Sequence, residues 1–419
     1  MKKIILIIYI ALPIFLLNNR ISSAQTDRTP IYVHGLGDNS SQWAGWQTLF
    51  SQERRISTGS NNSYNSINGI SNFAGQVPNV TYNNTIFFGH STGGVVARHI
   101  EQTRSNPFGG IITAGAPMDG ARISNSLNSG QTANFIVDGS DKVLRGPIRQ
   151  LGLAAAIVYA VAGHKLKSVA EDKVNDVLVR SQVSTTSNDL AEGSAYMNNG
   201  YRNNYTAMPK IHIYGNENSP VLWRIASTAF FQNFGSYVDF VDVTQQANSV
   251  YTANKWANIA AGVASVFGAP YYFWVADGWA DGANWLNDGS ERGWNDLIGS
   301  SIPASITTSA QSMDYNSFNQ CMSNYSPATY DQYRQCQQQS LYTVYYTSYS
   351  PVNSLSDGFI KAPSQTGFYS AWSNGATRIE ALGVNHLEMR EHEVMRNIYN
   401  GVFDLSIPGV NSFFFTPRR

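Results

Sequence analysis

One pentapeptide limits what this chain can fold into more than any other feature: Gly89-His90-Ser91-Thr92-Gly93. The residues before it, Thr85-Ile-Phe-Phe88, are apolar and β-prone, and those after it, Val95 to Thr103, read as a helix. A serine in that setting predicts a tight strand-to-helix turn whose hydroxyl projects from the carboxyl edge of a sheet. The flanking glycines avoid side-chain clashes in the turn. The helix amino terminus brings backbone N–H groups and a partial positive charge beside the hydroxyl.

The neighbouring segments supply the sheet. Pro30-Ile-Tyr-Val33 reads as a buried strand leading into His34-Gly35-Leu36-Gly37-Asp38, followed by helical spacing of Trp43, Trp46, Leu49 and Phe50. Ser57 to Ser66 reads as loop. Gly110-Ile-Ile-Thr113 predicts a further strand. Strand and helix alternating at this spacing predict a mostly parallel central sheet flanked by helices, an α/β fold. From about Ala121 to Val352 the alternation is lost, apart from a strand at Lys210-Ile-His-Ile-Tyr214. The apolar stretches Leu151 to Ala162 and Ile259 to Ala276 read as cap or core helices. The first is short for a membrane span and the second is interrupted by Gly262, Gly268 and Pro270. Trp274, Trp279, Trp285 and Trp294 read as core. The sheet pattern resumes at Gly358-Phe-Ile360 and Thr377 to Leu382, and Arg390 to Tyr399 predicts a closing helix carrying His392.

Four parts follow: a signal peptide at 1–24, a first core part at 25–125, a large, mainly helical cap insertion at 126–349 that contains the core strand near 210–215, and a second core part at 350–419. At the amino end, Lys2 and Lys3 precede the apolar run Ile4 to Leu17, and Ser22-Ser-Ala24 offers a cleavage site. The expected location is secreted or periplasmic. Cys321 and Cys336, 15 positions apart, are then a disulfide pair, worth about 3 kcal/mol in the chain-entropy model. Twenty-eight basic residues balance 28 acidic ones, and charged residues make up only 13% of the chain. That composition argues against a nucleic-acid partner. It leaves the oligomeric state open.

Ser91 needs a base within hydrogen-bond reach. Of seven histidines, His386 lies just past the last predicted strand and is the candidate; His34 and His90 belong to the motifs, His99 to a helix, His164 to the irregular middle, and His212 to mid-strand. The base needs an acid to fix its tautomer. Asp357, 29 residues earlier, ranks first, and Glu217, past the strand ending at Tyr214, is the alternative. An oxyanion would be held by the backbone N–H groups of Thr92 and Leu36.

Val33-His-Gly-Leu-Gly-Asp38, Gly89-His-Ser-Thr-Gly-Gly94, Thr113-Ala-Gly-Ala-Pro117 and the pair Ser356-Asp-Gly-Phe-Ile360 with Val384-Asn-His-Leu-Glu388 resemble the α/β-hydrolase superfamily. Within it they resemble secreted bacterial triacylglycerol lipases and inositol-deacylase-like lipases. The resemblance covers roughly residues 29 to 125 and 350 to 400. It implies the α/β-hydrolase fold and hydrolysis of carboxylic esters, often lipid acyl esters, under a mobile cap, with transient contact with lipid surfaces. In some of these lipases a structural calcium lies near the catalytic histidine, held partly by the acidic residue two positions on. Glu388 stands there, without a second acidic ligand evident, so no cofactor and no metal site are expected, with a structural calcium beside Glu388 as the weaker alternative. Acyl transfer or amide hydrolysis on the same residues, or a non-catalytic exported binding module with this core, are the competing expectations.

Overall fold

A computed structural model describes residues 27–150 and 184–419, apart from short stretches within 80–106, 218–268 and 304–354. The expected signal peptide and the Leu151 to Ala162 stretch lie outside the described residues.

The first half of the chain lays down β1 (Thr29–Val33), α1 (Ser41–Glu53), β2 (Ser60–Asn61), α2 (Ile70–Gln76), β3 (Tyr82–His90), α3 (Thr92–Thr103) and β4 (Phe108–Ala114). Next come α4 (Arg122–Asn128), α5 (Gln131–Gln150), α6 (Thr185–Leu190) and β5 (Lys210–Asn216). The chain continues with α7 (Val221–Phe234), α8 (Phe240–Ala264), α9 (Ala269–Asn284), a π-type turn and α10 (Ser290–Ile298). Four strands outside the main sheet, β6 (Ser301–Pro303), β7 (Ile306–Met313), β8 (Leu341–Ser348) and β9 (Pro351–Asn353), precede β10 (Thr377–Leu382) and the closing helix α11 (Glu393–Phe403).

Six of the strands form one sheet in the order β10-β5-β4-β3-β1-β2, and every pair in it is parallel. Its central strands carry unbroken apolar runs because both faces are covered. Ile31 to Val33, Ile86 to Phe88 and Ile111 to Ile112 are all buried. On one face, Trp43, Trp46 and Phe50 of α1 meet Tyr399 and Phe403 of α11. On the other, Phe73 of α2 packs with Val95, Val96 and Ile100 of α3. This is the α/β-hydrolase arrangement. In register, Val33 pairs Gly89, His90 pairs Ala114, and Leu382 pairs Asn216, so the loops after five strands leave one common edge.

The cap enters through two crossovers, β4 to β5 and β5 to β10, whose helices pack together. Close approach explains two helical glycines: a Cβ on Gly139 would lie 2.2 Å from Trp285 Cζ2, and one on Gly146 2.6 Å from Trp279 Cδ2. Of the four tryptophans expected in the core, Trp279 and Trp294 are buried, and Trp274 and Trp285 are half-buried.

Several local expectations need correcting. The cap is mainly helical, but it also holds two antiparallel ribbons, β6 with β9 and β7 with β8, that the sequence did not mark. Their Ser-, Thr- and Tyr-rich strands lack the apolar alternation that marks a half-buried strand. Cys321 and Cys336, which lie between β7 and β8, are joined as a disulfide. Gly358 to Ile360 is a turn rather than a strand, and its amides serve Asp357 instead of a ladder. Ser57 to Ser66 includes the two-residue β2, and His392 caps α11 instead of lying within it, its ring accepting from Val394 N–H at 3.2 Å. Ile259 to Ala276 divides between α8 and α9, and among the described residues no helix is long and apolar enough to cross a membrane.

Candidate active site

Ser91 closes β3 and opens α3 with φ 52° and ψ −125°, a left-handed region that costs a non-glycine residue about 1–3 kcal/mol. The turn is tight enough to need both flanking glycines. A Cβ on Gly89 would lie 2.6 Å from the Gly93 carbonyl carbon, and one on Gly93 2.3 Å from the Val33 oxygen. Ser91 N–H donates to Ala114 O at 2.9 Å, tying the turn to the next strand.

His386 follows β10, and its Nδ1 meets Asp357 Oδ2 at 2.6 Å. The Asp357 side chain is buried, and its other oxygen accepts from Phe359 N–H at 3.0 Å and Ile360 N–H at 2.8 Å. A second bond, His386 N–H to Asp357 O at 2.8 Å, zips the two loops together. The Asp-Gly-Phe-Ile sequence makes this local: Gly358, at φ 89°, turns the chain so that two amides fold back on the carboxylate. Among the described residues no side-chain hydrogen bond joins Ser91 to His386. Such contacts are often long before substrate binds.

Glu217, the alternative acid, leaves the same edge but turns elsewhere. Its N–H donates to Ser356 O at 2.8 Å, and its carboxylate pairs with Arg224 Nε at 3.4 Å. The same guanidinium reaches Glu388 Oε1 through Nη2 at 3.2 Å, and Thr228 Oγ1 donates to that oxygen at 3.1 Å. Glu217 is thus the second acidic residue near Glu388 that sequence spacing alone could not find. The donor set does not fit a calcium ion, because an arginine already stands between the two carboxylates. Among the described residues, no group of three or more His, Cys, Asp or Glu side chains converges as a metal site.

The loop after β1 lies over the serine. A Cβ on Gly35 would fall 3.1 Å from Ser91 Cβ. Gly35 N–H donates to Gln42 Oε1 at 3.0 Å and Gly37 N–H to Ser66 Oγ at 2.9 Å, and neither bond uses the N–H of Leu36 between them. His34 shapes the loop: its Nδ1–H donates to Gly35 O and its Nε2 accepts from Tyr64 N–H. Burial lowers its pKa and suits this neutral role. Thr92 is the first residue of α3, where amides have no acceptor within the helix.

Three further groups complete the floor. Gly115, at φ 60°, sits against the pair: a Cβ there would fall 3.0 Å from His386 Nδ1 and 3.1 Å from Asp357 Oδ2. Asp38 pairs with Arg390 Nη1 at 2.6 Å, joining the β1 loop to the segment after His386. Asn385 accepts from Leu387 and Glu388 N–H through Oδ1, both at 3.1 Å, and fixes the turn that presents His386. His212 is a packed core histidine, bonded to Thr113 Oγ1 at 2.8 Å and Ser373 Oγ at 3.1 Å. Burial pushes its pKa down to about 3.

From the imidazole an aromatic chain runs into the cap. Phe359 lies 5.5 Å from His386 between ring centroids, Trp294 5.7 Å from Phe359, Phe135 6.4 Å from Trp294, and Trp285 6.0 Å from Phe135.

No family model matches the chain, and no curated protein matches it either. One solved structure with some likeness is an extracellular α/β-hydrolase from a Paenibacillus species, described as homologous in structure and function to tobacco salicylic acid binding protein 2. It is 13% identical, with a TM-score of 0.24, and the match covers 45% of this chain and 77% of the other. At that TM-score the likeness adds nothing to the strand order and the serine turn, which carry the fold.

Proposed function

We propose that this chain is an exported serine hydrolase that cleaves carboxylic esters bearing apolar acyl groups, through an acyl-enzyme on Ser91. The observation that carries the proposal is the buried Asp357–His386 pair at the strand edge where Ser91 is held at positive φ. Ser91 Oγ attacks the ester carbonyl while His386 Nε2 takes its proton. Asp357 holds Nδ1–H and stabilises the imidazolium. The carbonyl electron pair moves onto oxygen, which accepts from the N–H groups of Leu36 and Thr92. Collapse breaks the ester C–O bond, and the alcohol leaves with the proton from Nε2. Water, deprotonated by the same nitrogen, then releases the acid and frees Ser91.

The apolar acyl group is supported by the Phe359, Trp294 and Phe135 wall beside the imidazole. Phe368 and Tyr369, both 66% exposed beside the β4 loop, would suit contact with a lipid surface. Location outside the cytosol is supported by the amino-terminal pattern and by the disulfide. The test is a p-nitrophenyl ester series from acetate to palmitate on wild type and Ser91→Ala, with a competing alcohol in one arm. Cleavage should favour the longer chains and fall by about 10⁴-fold or more in Ser91→Ala. If no ester of any length is cleaved, the proposal fails. Esters of the added alcohol would identify transfer instead of hydrolysis.

A further inference from the structure

His90 and Gln42 are buried polar residues beside the site for which the reaction above has no use. Buried polar groups are almost always hydrogen-bonded, so their partners show what they hold. Gly35 N–H donates to Gln42 Oε1 at 3.0 Å, Gln42 Nε2 contacts His90 Nδ1, and His90 Nε2 lies 3.0 Å from the carbonyl oxygen of His386. The two ends of this chain have only one role each. The Gly35 N–H can only donate, so it takes the amide oxygen of Gln42 and turns the NH₂ toward His90. The His386 carbonyl can only accept, so His90 must carry its proton on Nε2. Nδ1 is then free to accept from Gln42. Each bond of the chain then joins a donor to an acceptor, and the imidazole of His90 is neutral. Its burial, and then the charges of His386, Arg390 and His34, favour that state and outweigh the hydrogen bond to the His386 carbonyl, which opposes it.

We infer that Gln42 and His90 are positioning residues: one hydrogen-bonded chain sets the loop bearing Leu36 and the backbone of His386 in a common register with Ser91. This rests on the ester-hydrolase reading above. His90 is the residue before the nucleophile, its ring lies 4.7 Å from that of His386, and the Gly35 backbone packs on both His90 and Ser91. The chain crosses from α1 to β3 to the loop after β10, so these three elements cannot shift independently without breaking a buried bond. A misplacement of about 1 Å in such a constellation can cost about 10²-fold in rate.

The experiment compares wild type, His90→Phe, His90→Gln, Gln42→Met and the double variant His90→Phe/Gln42→Met, with kcat and KM on one ester and a thermal melt for each. His90→Phe keeps a ring but loses both nitrogens. His90→Gln restores an acceptor toward Gln42 and a donor toward the His386 carbonyl. His90→Phe and Gln42→Met should each lower kcat by about 10- to 100-fold with KM changed less than about threefold. His90→Gln should recover kcat to within about threefold of wild type, and the double variant should lose about what the worse single loses, as parts of one unit do. Should His90→Phe not fold, Gln42→Met against wild type reads the same chain from its other end. Unchanged kcat in Gln42→Met, failure of His90→Gln to recover kcat, or multiplied losses in the double variant would each overturn the inference. An inactive wild type would instead sink the ester-hydrolase reading.

Discussion

Three side chains carry most of the weight, and their sequence settings made them unequally legible. Ser91 was readable because its glycines, its apolar strand and its helix all lie within about 15 residues, and the positive φ is what that context demands. Asp357 ranked above Glu217 on its position 29 residues before His386. The structure adds the reason such a turn holds a carboxylate, two amides folded onto one oxygen while the other faces His386. The roles of Gln42, Arg390 and Arg224 were not legible locally, because each ties the site to a residue dozens to hundreds of positions away, and the seven-residue contacts of Gln42 with Gly35 and of Arg224 with Glu217 follow no regular spacing. Asp357→Asn should lower kcat by about 10⁴-fold at neutral pH, since an amide cannot hold the same tautomer of His386. Glu217→Gln should keep kcat within about tenfold, because its carboxylate faces Arg224. Steady-state kinetics on the two variants checks both, and the reverse order would make Glu217 the acid.

Between elements, the loop after β10 is held by α7. Arg224 and Thr228 of that helix reach Glu388, and Asn385 Nδ2 donates to Thr228 Oγ1 at 2.9 Å. The guanidinium lies between the Glu217 and Glu388 carboxylates and balances their charge. Thermal melts and ester hydrolysis should be unchanged by EDTA; a drop in either that calcium restores would contradict this. Arg224→Met removes the cation from Glu217, whose side chain is 1% exposed. Breaking a buried pair from one side costs about 3–5 kcal/mol, and the partial exposure of Arg224 reduces the expected loss to about 2 kcal/mol. Denaturant melts of the variant would measure it, and an unchanged midpoint would show that the bridge holds nothing. None of this was legible in sequence, since the helix and the loop are 160 residues apart and the cap between them has no regular alternation.

For the whole molecule, the parallel sheet was legible because strands covered on both faces read as continuous apolar runs. The cap was legible as a mainly helical insertion, but its ribbons were not, because the strands of the longer one are polar and lack apolar alternation. Global stability should carry the mark of the buried histidines. His212 titrates at about 3 when folded and near 6.5 when unfolded, with burial as the main cause. Between those values the unfolded chain binds the extra proton, so stability falls as pH drops below about 6.5, by about 1.4 kcal/mol per pH unit from this group. The loss stops near pH 3. His90, whose pKa is also lowered by burial, acts in the same direction. In urea melts from pH 4 to 7, His212→Gln should reduce this slope by about one proton, and an unaltered slope would mean His212 is protonated in the fold. The central claim, that Ser91 is an activated nucleophile served by His386, is tested most directly by labelling the purified protein with a fluorophosphonate and mapping the adduct. One adduct per chain on Ser91, lost in Ser91→Ala and strongly slowed in His386→Ala, is the predicted result. An unlabelled wild type, or an adduct on another residue that persists in Ser91→Ala, would contradict it.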